Sequence, residues 1–470
     1  MNTPREKWGS KLGFILAASG SAVGIGNIWK FPHMAGQNGG AAFTLIYLIC
    51  IFVVGLSIVI GEFALGRKTQ LSPVGAYLTV APKSLWKWVG FLGVASAYVI
   101  LSFYGVVGGW IMNYAFLSIK GDFLSLAGNP EASSQLFNSF ITGTWAPLFW
   151  QLLFMFICIY VIVNGVKGGI EKWSKIMMPT IIIILIVLAI RGLSLPNGLT
   201  ALSFLFKPKF ADLSATAVVL ALGHSFFTLS LGMGTMITYG SYLKKEENLL
   251  SSALWVIGLD TLIALIAGVA IFSTVFALGS DPAEGAGLIF VVLPSVFPEI
   301  PGGQIWGTLF FLILFMAALT SAISILEVVT AYFIDQKGWS RPKATIIFGG
   351  TITIVGVFCS LSLGNNLNLT WFLDMSFFDF MDYLSSKYML PIGGMLMAIF
   401  ILKTWSVDSF LEEVHRGMDS KKIPPQLVTT LLSIGALVIA FIILNEVVEK
   451  LFGSPTVSYT HLTLPTNREV

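Results

Sequence analysis

Long apolar runs separated by short polar stretches dominate this chain. Eleven runs occur, at about 12–36, 41–66, 88–118, 146–165, 174–191, 214–240, 249–278, 304–334, 344–362, 378–402 and 426–449. A helix needs roughly 20 mostly apolar residues to cross a bilayer, and every run approaches or exceeds that length. The runs are continuous rather than alternating, which predicts helices and excludes a barrel of ten-residue strands. The polar connections 119–145 and 279–303 are long enough to fold over one face of a bundle. The stretch 454–470 is polar, threonine-rich and aperiodic, and reads as a disordered tail or as sequence foreign to the protein.

Composition removes the soluble alternatives. Of 470 residues, 56% are hydrophobic and 11% charged, against about 25% charged in a soluble domain. Soluble enzymes, nucleic-acid binders, disulfide scaffolds and disordered chains are excluded. The formal net charge of +3 is too small to imply an acidic partner, but the positions of the charges are informative. With the N-terminus inside, the inner connections hold 19 basic residues and the outer ones 6. The positive-inside rule then predicts a cytoplasmic N-terminus and an outside C-terminus. Cys50, Cys158 and Cys359 sit inside apolar runs and read as small buried hydrophobes. The first run continues beyond signal-peptide length.

Two runs carry a matching interruption. The first contains Gly24-Ile25-Gly26-Asn27 after Gly20 and Ser21; the sixth contains Gly232-Met233-Gly234 after Thr228 and Ser230. Glycine weakens a helix by about 1 kcal/mol relative to alanine, so paired glycines beside hydroxyl or amide side chains favour unwinding. Inside a membrane, unwound backbone is tolerated only within protein or along a cavity. A single such motif reads as close helix packing. Two of them five helices apart predict an inverted repeat with a midplane binding site.

At this point the residues resemble a known family. Ala22-Val23-Gly24-Ile25-Gly26-Asn27-Ile28-Trp29-Lys30-Phe31-Pro32, Asn38-Gly39-Gly40-Ala41-Ala42-Phe43, Phe226-Phe227-Thr228-Leu229-Ser230-Leu231-Gly232 and Ala318-Leu319-Thr320-Ser321 resemble helices 1, 2, 6 and 8 of the neurotransmitter:sodium symporters. Eleven spans resemble the bacterial LeuT-like branch and its MhsT-like members. The resemblance implies an all-α polytopic membrane protein with unwound helices 1 and 6. It implies one transport domain over 1–470, with five-helix repeats at 12–191 and 214–402 and an added helix at 426–449. The implied activity is sodium-coupled import of an amino acid by alternating access, with two sodium ions, in the plasma (inner) membrane of a bacterium. The implied partners are a small amino acid and the lipid bilayer, with no nucleic acid and with the oligomeric state open.

Helical rise permits the implied site. Ser21 and Asp260 lie roughly 15 and 16 Å in from the inner side, and Thr228 and Thr320 roughly 21 Å from the outer side. These depths converge near the centre of a core about 30 Å thick. The family pattern places one sodium on the Ala22 carbonyl, Asn27, Thr228 and Asp260. It places a second on the carbonyls of Gly20, Val23 and Ala317 and the hydroxyls of Thr320 and Ser321. Oxygen donors suit a hard cation. Asp260 is a costly mid-membrane carboxylate where relatives use an amide, so chloride-independent transport is expected. The position one turn onward, Ala264, carries no charge.

For the substrate, the resemblance implies backbone at Ser21, Ala22, Gly24 and Gly26, with Thr228 and Ser321 nearby and Tyr104 on the carboxylate. The side-chain pocket is formed by Ile100, Phe227, Ser230, Met233, Ser324 and Ile325. It holds no charge, and methionine is adaptable, so a hydrophobic amino acid, including a large aromatic one, is expected. The implied outer gate is Lys30 with Asp382 under a Phe227 lid. The inner gate is Arg5 with Asp335, beside Trp8 and Tyr242. Gly169 and Pro179 resemble a motif for unwinding the inner half of helix 5. Glu62 is expected to bond the unwound part of helix 6, and His224 reads as a satisfied packing histidine. A channel, a non-transporting sensor and a membrane enzyme fit less well: the gates are paired, no soluble signalling segment occurs, and the four histidines form no metal spacing. A proton-coupled carrier of the same fold is the nearest rival, and the hydroxyls of helix 8 favour sodium over it.

Overall fold

The computed structural model describes residues 5–210, 213–277, 279, 289–364, 375–418 and 422–452. The expected tail at 454–470 and part of the 279–303 connection lie outside the described residues. The spans are α1 (Lys11–Ala22, then Gly26–Gln37), α2 (Ala41–Thr69), α3 (Lys87–Lys120), α4 (Trp145–Val163), α5 (Val166–Leu193) and α6 (Ala215–Thr228, then Thr235–Gly240). They continue as α7 (Leu249–Ala277), α8 (Gly303–Lys337), α9 (Arg341–Leu361), α10 (Phe377–Trp405) and α11 (Pro425–Phe452). Among the described residues nine helices are long and apolar enough to cross a membrane, and the bent α1 pair makes a tenth. The two pieces of α6 are each too short to cross alone, so a count of eleven depends on joining them.

Among the described residues the architecture is all-helical, with α1 and α6 both interrupted. Its centre is set by α3 and α8, which pack against each other over much of their length. The most apolar window of α8 is 78% buried and that of α11 only 22%, so α8 is an axis and α11 a lipid-facing addition. Glycine ends both long helices. Gly121 (φ 83°) and Gly338 (φ 65°) take the left-handed conformation and donate back to Leu117 and Ser118, and to Phe333 and Ile334. This is the usual glycine C-terminal cap.

α1 breaks where its sequence weakens it. Val23 is extended (φ −69°, ψ 98°), and the two halves meet at 53°. In α6 the stretch 229–234 is unwound, with Ser230, Gly232 and Gly234 all left-handed (φ 53°, 82° and 78°). Left-handed backbone costs a non-glycine residue roughly 1–2 kcal/mol, which marks Ser230 as held there by its neighbours. At the end of the bundle away from the N-terminal segment the connection after α3 folds into Pro130–Ile141, with Phe137 stacked on Phe290 at 5.0 Å.

α5 departs from expectation. It starts at Val166 rather than 174, as a π-helical turn over Val166–Glu171 that runs into Lys172–Leu193. Lys167 and Lys172 stop the apolar run short of 174 in the sequence, yet long basic side chains reach toward water from a continuing helix. Pro179 lies within this helix, which is unbroken over 172–193, so the inner half of α5 is wound in this conformation.

Candidate functional site

The two breaks face each other and are stitched together by hydroxyl groups. Ser230 Oγ donates to the Ser21 carbonyl at 3.0 Å, and Ser321 Oγ to the same carbonyl at 3.2 Å. Ser21 Oγ donates to Ser324 Oγ at 2.7 Å. The bend in α1 exposes carbonyls that a helix would have used, and α6 and α8 supply the hydroxyls that meet them. Unwound backbone in a membrane needs such partners.

Asp260, fully buried on α7, lies at the floor of this junction. Asn27 Nδ2 donates to its Oδ1 at 2.8 Å and to its carbonyl at 3.1 Å, and Thr228 Oγ1 donates at 3.2 Å. Asn27 Oδ1 in turn accepts from Gly24 N at 3.1 Å. One carboxylate thus joins α1, α6 and α7. Deeper in α1, Ser321 Oγ lies 3.4 Å from the Val23 carbonyl, and Thr320 Oγ1 donates to the Ala317 carbonyl at 3.0 Å. A methyl group on Gly20 would sit 3.2 Å from Thr320 Cβ and 3.3 Å from Met178 Sδ. α5 therefore covers this second cluster of oxygens from the side.

Tyr104 on α3 supplies the most informative single atom. Its hydroxyl is buried beside Ser321 and the Ile25 amide and, among the described residues, makes no hydrogen bond of regular geometry. Native structures rarely leave such a group unpaired. A methyl group on Gly24 would lie 2.6 Å from Ser321 Oγ and 3.2 Å from the Tyr104 hydroxyl. The hydroxyl therefore points at the α1 break, where glycine keeps the space open. Ile100, Met233 and Ile325 are 3–4% exposed and Ser324 is fully buried. These candidate lining residues bring no charge.

Phe227 lies across the outer side. A methyl on Gly26 would touch its ring at 3.4 Å, and Lys30 Nζ stands 4.2 Å over the ring centroid. Lys30 is within electrostatic reach of the buried Asp382, and Asp382 accepts from Ser386 Oγ at 2.8 Å. At the end of the bundle that holds the N-terminal segment Arg5 is ion-paired with Asp335, donates to Ser241 Oγ at 2.6 Å and stacks over Tyr242 at 4.5 Å. Trp8 donates through Nε1 to the Tyr239 carbonyl at 3.0 Å and through its backbone to Tyr242 at 3.2 Å. Direct contacts therefore tie the N-terminal segment to this end of the bundle. Glu62 accepts from Gly232 N at 2.8 Å, tying α2 to the unwound part of α6. Gly169 and Pro179 stand apart from the central cluster, on α5.

His224 differs from its expectation. It is 1% exposed and packs on Tyr47 and Phe31, but among the described residues neither ring nitrogen has a hydrogen-bond partner. It is a packing histidine but not a satisfied one, because its neighbours on two sides are aromatic faces.

Three groups of residues escaped the sequence reading. Arg341 makes a two-pronged bond to the fully buried Glu327 (2.7 and 3.0 Å) and also donates to Glu6 at 2.7 Å, and Tyr242 donates to Glu327. Lys387 pairs with Glu446 at 3.0 Å, joining α10 to α11. Glu171 receives Gly9 N, Ser10 Oγ and Lys175 Nζ. The charges of Glu327, Lys387 and Glu446 inside apolar runs gave a signal, but their partners lie on other helices.

Comparison with known proteins places this geometry. The sequence profile of the sodium:neurotransmitter symporter family matches residues 5–127 and 139–469. The chain is 39% identical over 417 residues, 88% of its length and 92% of the relative's, to YhdH of Bacillus subtilis (strain 168), described as an uncharacterized sodium-dependent transporter. It is 28% identical to a sodium- and chloride-dependent GABA transporter, ine, of Drosophila melanogaster, over 72% of this chain and 40% of that one. Among solved structures, the crystal structure of MhsT in complex with L-phenylalanine is 45% identical, with a TM-score of 0.85, covering 94% of this chain and 99% of that one.

Proposed function

The chain belongs to the sodium:neurotransmitter symporter family, and on that premise we propose that it imports hydrophobic L-amino acids, large aromatic ones included, by alternating access without a need for chloride. The family and its sodium-dependent relatives make it a multi-pass, sodium-coupled transporter of the LeuT-like, MhsT type rather than an enzyme. The finer reading rests on one observation: the buried Tyr104 hydroxyl, which makes no hydrogen bond of regular geometry, faces the α1 break beside an uncharged lining. A substrate carboxylate accepts from Tyr104 and from the freed amides of the break. Its ammonium is left to the carbonyls around Ser21 and Phe227, and its apolar side chain to Ile100, Ser230, Met233, Ser324 and Ile325. The L-phenylalanine in the MhsT complex supports this substrate class.

Two sodium ions fit the donor chemistry. One takes the Ala22 carbonyl, Asn27, Thr228 and Asp260; the other takes the carbonyls of Gly20, Val23 and Ala317 with Thr320 and Ser321. Asp260 supplies a fixed negative charge beside the first, which removes the need for a mobile anion. Lys30, Asp382 and Phe227 form the outer gate, and Arg5, Trp8, Tyr242 and Asp335 the inner one. The N-terminus faces the cytoplasm of a bacterium, and the two five-helix repeats move against each other within one transport domain.

The test is uptake into proteoliposomes with a panel of labelled amino acids, varying sodium and chloride separately. Sodium-driven uptake led by phenylalanine, leucine or tryptophan and unaltered in gluconate medium is the expected result. Preference for a charged or very small amino acid overturns the substrate reading. Uptake that stops without chloride, the requirement named for the Drosophila relative, overturns the role given to Asp260.

A further inference from the structure

The N-terminal segment and the start of α5 hold each other through two carboxylates that face opposite ways. Glu171, on α5, accepts from Gly9 N at 2.6 Å and from Ser10 Oγ at 2.9 Å. Glu6, on the N-terminal segment, accepts from Val166 N, the first residue of α5, at 2.7 Å. Each carboxylate thus satisfies an amide at the start of the other element, where a helix leaves its donors unpaired.

The fit is built in the backbone. A methyl group on Gly13 would run into the Glu171 carboxylate, and one on Gly9 would stand 3.1 Å from it. Gly9, just before the N-cap of α1, and Gly13, in its first turn, form a cradle for this side chain. Ser10 caps α1 by accepting from Gly13 N at 3.0 Å while its hydroxyl donates to Glu171. Glu171 is 4% exposed, and Lys175 completes its partners at 2.6 Å. Glu6 is likewise tied to Arg341, itself bonded to Glu327.

We propose that Glu171 and Glu6 are positioning residues that couple the inner gate to the inner half of α5, so that neither moves without the other. Arg5 of the gate and Trp8 lie in the same short segment as Glu6, Gly9 and Ser10. Pulling that segment from Asp335 strips Val166 and Glu171 of their partners in the same motion. α5 then loses its N-terminal support at the helix that carries Pro179 and whose Met178 covers Gly20. Breach of the gate and exposure of the oxygen cluster around Gly20 and Thr320 become one event. This inference rests on the transport reading only for its consequence; the coupling itself is a property of the two segments.

Hydrogen–deuterium exchange on the full chain in lipid nanodiscs tests it by cross-effects. Glu171→Ala, made on α5, is expected to raise exchange across residues 5–13, and Glu6→Ala across 166–171, each by about tenfold, the scale of a lost hydrogen bond to a charged group. Glu171→Gln keeps an acceptor and is expected to restore much of the protection. Gly13→Ala perturbs the cradle with both carboxylates intact and provides the second route should Glu171→Ala fold poorly. In sodium-driven uptake of L-phenylalanine, the alanine variants are expected to lower the maximal rate with little change in half-saturation. Substitutions that loosen only their own segment overturn the proposal. The exchange measurement needs no substrate, so a failure of the amino-acid reading, seen as no uptake by the parent chain, remains distinct.

Discussion

Asp260 is the residue through which three helices meet. Its oxygens receive Asn27 and Thr228, and its burial is complete. A carboxylate here is tolerated because donors converge on it and a cation can share it. Asp260→Asn removes the charge and keeps the shape. Uptake is expected to fall by about tenfold in gluconate medium and to recover in chloride, within the range of coupling between bound ions. Equal uptake of the variant in both media would sink this account. The residue was legible as a mid-run carboxylate in the sequence. Its bonds were not, since Asn27 and Thr228 lie on other helices and only the fold brings them within reach.

At the scale of elements, the breaks in α1 and α6 and the wound inner half of α5 belong together. The glycine pairs of α1 and α6 are local signals, and both unwind where they stand. The start of α5 is the opposite case: lysines at 167 and 172 concealed a helix whose first turn is held by the N-terminal segment. Pro179 leaves the Lys175 carbonyl without its helical donor, a weak point that the wound state must tolerate. Pro179→Ala supplies the missing N–H, worth about 1 kcal/mol. Sodium release to the inner side is expected to slow about fivefold, with substrate binding retained. Stopped-flow release kinetics identical to the parent would count against this. In α6, a methyl on Gly232 would collide with the Leu390 carbonyl, and φ of 82° disfavours any side chain. Gly232→Ala is therefore expected to lower the melting temperature, most simply read in a thermal scan in detergent.

Across the whole molecule charge is scarce, and among the described residues several ion pairs gather around the N-terminal segment. The inner end holds Arg5 with Asp335, and Arg341 with Glu327 and Glu6. Removing one partner of a buried pair costs about 3–5 kcal/mol, because the other charge is left unpaired. Arg341→Gln is expected to destabilise the inner-closed state, exposing a cysteine placed at Ser241 to thiol reagents. Arg341→Gln combined with Glu327→Gln is expected to recover most of the loss, as a double-mutant cycle measures. Unchanged labelling in the single variant would show that the pair does not hold the gate.

The run lengths, the charge bias and the two glycine breaks determined from sequence alone that this is an interrupted helical membrane protein. Those properties are local: apolar length, basic residues at run ends and weak helix formers are read along the chain without knowing its neighbours. The motif resemblance, a pattern of residue types, led to the family in the same way. Tertiary structure alone decided which groups face each other. It brought the Tyr104 hydroxyl beside Gly24, set Arg341 on Glu327, and seated Glu171 in the cradle of Gly9 and Gly13. The physical reason is that these contacts join residues remote along the chain. A hydrogen bond depends on distances of a few tenths of an ångström, which packing sets and sequence spacing does not.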